Sequence, residues 1–183
     1  PQGRGTLAAQ GVDPGSVHIQ MGTFGKALGV AGAFVGGSRE LVEYLVNFSR
    51  HYVYSTHMPA AQACAVSQSI ALVRGADEAR AHLGQLIARF RQGAEALGWQ
   101  LGASATPIQP LLVGESAAAL QLAQRLRDSG VWVSAIRPPT VPVGTARLRI
   151  TLCAAHGEDD VDRLLEALGP SPSTDERGGA HGA

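Results

Sequence analysis

Apolar side chains fall on alternate positions at Val17, Ile19 and Met21 in SVHIQM (16–21), the two-residue period of a strand, and the run ends at Gly22. A second apolar run, VAGAFVGG (30–37), is built from small residues and predicts a buried strand whose glycines let neighbouring backbone approach. Ser38 can then cap a helix over 39–49, with Leu41, Val42, Leu45, Val46 and Phe48 on its apolar face. The hydroxyl- and aromatic-rich segment HYVYSTHMP (51–59) reads as a connection. Pro59 suits the first position of a helix that runs to Arg74 and closes at Gly75.

A longer helix follows over 77–97, where Ala79, Leu83, Leu86, Ile87, Phe90, Ala94 and Leu97 keep one stripe buried. Beyond it the texture changes to short alternations. PIQPLLVG (107–114), VWVSAIRPP (131–139) and TARLRITL (145–152) read as strands, and SAAALQLAQRLRDSG (116–130) and EDDVDRLLEAL (158–168) as helices. This predicts a compact α+β domain over 99–169 with a mostly antiparallel sheet, preceded by part of a larger α/β domain (1–75) and a linking helix (76–98). The tail, 170–183, has almost nothing to bury and is expected to be disordered. No internal repeat is visible.

Composition narrows the function classes. The chain has 183 residues, is 45% hydrophobic and carries a formal net charge of zero, which removes the basic field that nucleic acid or an anionic membrane would require. No apolar run approaches the roughly 20 residues of a membrane span, and no secretory leader is visible. The two cysteines, Cys64 and Cys153, lack the spacing of a metal site or a disulfide framework, so a cytoplasmic compartment is expected. The chain opens at Pro1 in a Gly-rich, loop-like segment, which suggests a piece of a longer protein.

Among 15 Lys plus Arg, Lys26 is the only lysine, and it lies in the apolar, Gly-rich stretch MGTFGKALGVAGAFVGG (21–37). An ordinary turn lysine is the plainest reading. A phosphate-cradling P-loop fails on spacing, because Gln20 stands where that motif needs Gly and Ala27 where it needs Ser or Thr. The remaining chemistry is covalent: an amine condenses with an aldehyde to a Schiff base, and a guanidinium does not.

The blocks GTFGKALGVAGAFV, YLVNFSRHYVYSTHMPAAQACAV and AIRPPTVPVGTARLRITLCAAH occur in one order over residues 1–169. Together they resemble the α-oxoamine synthase group of pyridoxal-phosphate (PLP) enzymes, which share the aspartate-aminotransferase fold, fold type I. The resemblance implies a mixed α/β architecture, the C-terminal part of the large domain plus a small α+β domain. IQPLLVG and the block over 136–156 are most similar to the branch that condenses L-alanine with a pimeloyl thioester, on coenzyme A or a carrier protein, in biotin synthesis. A sister synthase using glycine with an acetyl or succinyl thioester is the alternative, and a non-catalytic remnant a third.

By position, the resemblance makes Lys26 the covalent PLP anchor and proton carrier and Thr23 a phosphate ligand. Ser55 and Thr56 match hydroxyls that reach the cofactor phosphate of the neighbouring subunit in a homodimer, although STHMPA departs from the group at positions 57 and 60. Thr140 matches a substrate contact, and Arg149 the arginine that receives the amino-acid carboxylate through a two-pronged hydrogen bond. On the same strand face Arg147 reads as an exposed sheet residue, and His51, His57 and His156 as structural. The Asp that pairs with the pyridine nitrogen is expected before Pro1, since Asp13 precedes a proline in a loop.

Overall fold

The computed structural model describes residues 3–172, so most of the tail expected to be disordered, residues 173–183, lies outside the described residues. The chain divides into two compact units, Pro1–Asp77 and Glu78–Ala183.

The first unit opens with a short helix, α1 (Gly5–Ala9), in the stretch expected to be a loop. A single 3-10 turn at Pro14–Ser16 comes next. Asp13 Oδ1 accepts from Gly15 N at 3.1 Å, and Ser16 Oγ donates to the Asp13 carbonyl at 2.7 Å. That local turn takes residues 14–16 out of the extended chain, so strand β1 runs Ile19–Thr23 rather than 16–21. It pairs antiparallel with β2 (Ala33–Gly37), Met21 opposite Val35 and Thr23 opposite Ala33. The strand expected to be buried is instead open, with Phe34 and Val35 each 47% exposed. The physical reason is the pairing: among the described residues β1 and β2 form a two-stranded ribbon, and a ribbon that thin cannot enclose its own faces.

Helix α2 (Arg39–Phe48) starts where Ser38 Oγ accepts from Leu41 N at 3.2 Å. A Cβ at Gly37 would sit 2.5 Å from Leu41 Cδ2 and 2.6 Å from the His18 carbonyl, so only glycine lets the strand run this close to the helix. The connection expected over 51–59 contains a single helical turn, α3 (Arg50–Val53), before α4 (Ala60–Arg74), for which Pro59 is the N-cap.

In the second unit a three-stranded antiparallel sheet has the order β3 (Ile108–Gly114), β5 (Ala146–Thr151), β4 (Ser134–Ile136). Ala146, Leu148 and Ile150 of β5 and Leu152 just after it are buried in the core, where α6 (Ser116–Asp128) and α7 (Glu158–Leu168) supply Leu122, Leu126, Val161, Leu164 and Leu168. The helix expected to link two domains, α5 (Asp77–Ala96), contributes Leu86, Ile87, Phe90 and Ala94 to this same core. Burying each large apolar side chain contributes about 1.5–3 kcal/mol. Trp99 Nε1 donates to the Gly169 carbonyl at 2.8 Å and Arg125 Nη2 to the Leu168 carbonyl at 2.8 Å, which fixes the end of α7.

Candidate functional site

The first unit holds Thr23, Lys26, Ser55 and Thr56, and the second holds Thr140 and Arg149. Thr23 is the last residue of β1, and Lys26 follows in the loop that returns to β2. Phe24 plugs this loop: it is 8% exposed, and its ring stacks on Phe34 at 5.7 Å. Its amide donates to the Gly32 carbonyl at 2.8 Å, and its carbonyl accepts from Val30 N at 2.9 Å. The Lys26 carbonyl accepts from Gly29 N at 3.0 Å, closing a turn in which Gly29 takes φ +64°. Two side chains of α4 clamp the loop from outside, Ser69 Oγ donating to the Leu28 carbonyl and Gln62 Nε2 to the Ala31 carbonyl, both at 2.6 Å.

The backbone around Lys26 is therefore held at both ends while the side chain itself is exposed. A free primary amine on a fixed loop can meet a carbonyl carbon without the loop having to order first. Thr23 is exposed on the same hairpin. Ser55 and Thr56 are exposed in the connection between α3 and α4, and the Ser55 amide donates to the Tyr52 carbonyl at 3.4 Å. Asp13, committed to its own turn, gives its carboxylate to Gly15 N.

In the second unit, β5 is the central strand, and Arg147, Arg149 and Thr151 leave its outer face, away from the helices. Arg149 lies between Pro110 on β3 and Ser134 on β4. Among the described residues no acidic side chain pairs with it, and its guanidinium is exposed. Thr140 belongs to the β4–β5 loop, where its amide donates to the Arg137 carbonyl at 3.0 Å. A free guanidinium and an exposed hydroxyl on neighbouring elements suit a small carboxylate ligand.

Three of the histidines make structural contacts. His156 Nδ1 accepts from Cys153 N at 3.2 Å, and the His156 carbonyl accepts from His82 Nε2 at 2.9 Å, tying the β5–α7 turn to α5. His57 Nδ1 donates to the Met58 carbonyl at 2.9 Å. Among the described residues no group of three metal-ligating side chains occurs, and no helix is long and apolar enough to cross a membrane. Sequence reasoning missed Gln62 and Ser69, because their partners lie 31 and 41 residues away and no local motif marks such a pair.

Comparison with known proteins gives three findings. The family model described as aminotransferase class I and II matches residues 3–168. Two proteins named 8-amino-7-oxononanoate synthase are similar over nearly the whole chain. One is from Aeromonas hydrophila subsp. hydrophila, 89% identical over 182 residues, and the other from Aeromonas salmonicida, 82% identical over 181. In both cases the chain spans 46% of the relative's length. Among solved structures, a Sphingomonas wittichii serine palmitoyltransferase superposes with a TM-score of 0.84 at 31% identity, covering 91% of this chain and 42% of that one. An 8-amino-7-oxononanoate synthase from Francisella tularensis gives 0.82 at 27%, covering 91% and 49%. A serine palmitoyltransferase from S. paucimobilis with a bound PLP–myriocin aldimine gives 0.83 at 28%, covering 92% and 42%.

Proposed function

Because the chain belongs to the aminotransferase class I and II family, we propose that it is the C-terminal portion of a PLP-dependent synthase. The reaction joins the Cα of L-alanine to the acyl carbon of a pimeloyl thioester, on coenzyme A or a carrier protein, with loss of the thiol and of carbon dioxide. The observation that carries this reading is Lys26, the sole lysine of the sequence, presented as an exposed amine on a loop clamped by Ser69 and Gln62. The 89% identity to a relative named for this product supports the choice of substrates.

The residues present fit two ends of the cofactor. Lys26 offers the amine that an aldehyde needs, and the Thr23 hydroxyl, exposed on the same hairpin, offers a donor to a phosphate oxygen. Ser55 and Thr56 offer two further hydroxyls, assigned to the phosphate of the partner subunit in a homodimer. The ring-nitrogen partner is not assigned to Asp13, whose Oδ1 accepts from Gly15 N in the turn before β1. When bound, PLP supplies the electron sink for the carbon chemistry.

The protein's own contributions are binding, orientation and proton transfer. Arg149 takes the carboxylate of L-alanine in two parallel hydrogen bonds, which fixes the rotation of the groups on Cα. The Lys26 amine, once unbound, removes and returns the proton at Cα. The Thr140 hydroxyl hydrogen-bonds the substrate. Arg147 is less available, because its Nε donates to the Thr145 carbonyl at 3.0 Å.

The test is condensation by the full-length protein with pimeloyl thioester and either alanine or glycine. Alanine is expected to give product and glycine little. Product from glycine with an acetyl thioester, and none from alanine with pimeloyl thioester, would contradict the assignment.

A further inference from the structure

The loop over 24–32 that carries Lys26 contains Gly25, Gly29 and Gly32, and two of these take left-handed backbone, φ +64° at Gly29 and +108° at Gly32. Such a segment has unusual conformational freedom to lose, so its own backbone does not fix where the amine stands. The neck of the loop is closed by two hydrogen bonds to one residue. The Phe24 amide donates to the Gly32 carbonyl, and the Phe24 carbonyl accepts from Val30 N. Ala31 lies between those two partners, and its carbonyl accepts from Gln62 Nε2 at 2.6 Å.

Gln62 belongs to the first turn of α4, where its own amide donates to the Pro59 carbonyl at 3.0 Å. A Cβ at Gly32 would stand 2.6 Å from Met58 Cε and 3.4 Å from Gln62 Nε2, so the bare Gly32 is what admits both side chains to the neck. Gln62 is half-buried while Ala31 is exposed. Water can therefore replace the side-chain amide as a donor to the Ala31 carbonyl, and losing that bond costs little stability. Water does not, however, hold the carbonyl in one direction. Ser69 meets the loop at Leu28, beyond Lys26, whereas Gln62 acts at the neck, where a small rotation of Ala31 displaces the whole loop.

We propose that Gln62 is a positioning residue for Lys26, acting through Ala31 to keep the amine aligned with the substrate Cα during proton transfer. This rests on the reading above, in which the unbound Lys26 amine removes and returns the proton at Cα. Proton transfer depends steeply on the distance between donor and acceptor, so a loop displaced by about 1 Å slows the step far more than it weakens the fold. Alanine binding is given to Arg149, which Gln62 does not touch. The loss on removing the Gln62 donor therefore falls on kcat and spares the KM for alanine.

The test uses the full-length protein with PLP and the substitutions Gln62→Met, which keeps the length of the side chain and removes the donor, and Gln62→Glu, which donates only while its carboxyl is protonated. In Gln62→Met kcat is expected to fall about tenfold to a hundredfold with the KM for alanine unchanged, and the isotope effect on kcat from deuterium at the alanine Cα to rise. Mixing with PLP and quenching with borohydride at short times should also show slower modification of the Lys26 side chain. In Gln62→Glu both defects are expected in full at about pH 8. They should shrink, relative to the unsubstituted protein, as pH falls toward about 5, where a carboxyl set against a carbonyl oxygen regains its proton. A constant isotope effect in Gln62→Met would overturn the proposal. So would a fall in kcat matched by a fall in Tm, which marks a structural glutamine, or a defect in Gln62→Glu that does not change with pH. Each of these leaves the synthase reading intact. If the unsubstituted protein condenses no thioester with alanine, the synthase reading falls and this proposal with it.

Discussion

Lys26 stands out in the sequence as one lysine among fourteen arginines, and the structure adds that its backbone is pinned while its side chain is exposed. Gln109 was not legible. In PIQPLLVG a strict alternation would turn the one polar side chain outward, yet Gln109 is fully buried. It turns inward because Arg91 Nη1 donates to its Oε1 at 2.8 Å, while its Nε2 donates to the carbonyls of Ser104 and Thr106 at 3.0 and 2.6 Å. A buried polar group is tolerated only when satisfied, and these partners come from α5 and from the loop before β3. Gln109→Leu should therefore destabilise the second unit by about 1–3 kcal/mol, read as a lower urea midpoint. An unchanged midpoint would mean that the loop finds other partners.

Ion pairing at the residue scale gives a pH prediction. The hydrogen bonds from Arg89 to Asp162, at 2.6 and 2.7 Å, hold the Asp162 carboxyl below its usual range and raise the Arg89 guanidinium. A carboxyl depressed in the folded state stabilises above its ordinary pKa, near 4, and loses that contribution as pH falls through the lower folded value. Asp162→Asn should lower the Tm modestly at pH 7, because the pair is solvent-exposed, and leave it unchanged near pH 2. A Tm difference that persists undiminished in acid would contradict the ion pair as its source.

At the scale of elements, the five helices of ten or more residues were read within a residue or two, because a 3.6-residue period over that length carries its own signal, while the short α1 and α3 were not read. The expected helix over 39–49 is Arg39–Phe48, and that over 158–168 is Glu158–Leu168. The strands near Lys26 were harder. β1 begins three residues late because the Asp13 turn takes up Pro14–Ser16, and the loop over 24–32 absorbs the start of the second apolar run. What fixes that loop is α4, far along the chain. Removing one clamp in Ser69→Ala should leave the Leu28 carbonyl without its donor and speed amide exchange at Val30 and Gly29, with exchange in α4 itself little changed. Protection equal to that of the unsubstituted chain would mean that Phe24 and Gln62 hold the loop alone.

At the scale of the molecule, two units differ in how much of themselves they enclose. The second has a continuous core from Leu86 to Leu168 built by three helices on a three-stranded sheet. The first buries few side chains, Phe24 and Val66 among them, and exposes Ile19, Met21, Phe34 and Val35 along its ribbon. The mixed α/β class and the family were legible because separate motif blocks kept one order. The chain spans 46% of the length of its Aeromonas relatives, so the central claim is best tested on the full-length protein. The protein is incubated with PLP, reduced with borohydride and digested, and the pyridoxyl-modified peptide is mapped by mass spectrometry. The account predicts one adduct on the Lys26 side chain, lost in Lys26→Arg; an adduct elsewhere with Lys26 unmodified would contradict it.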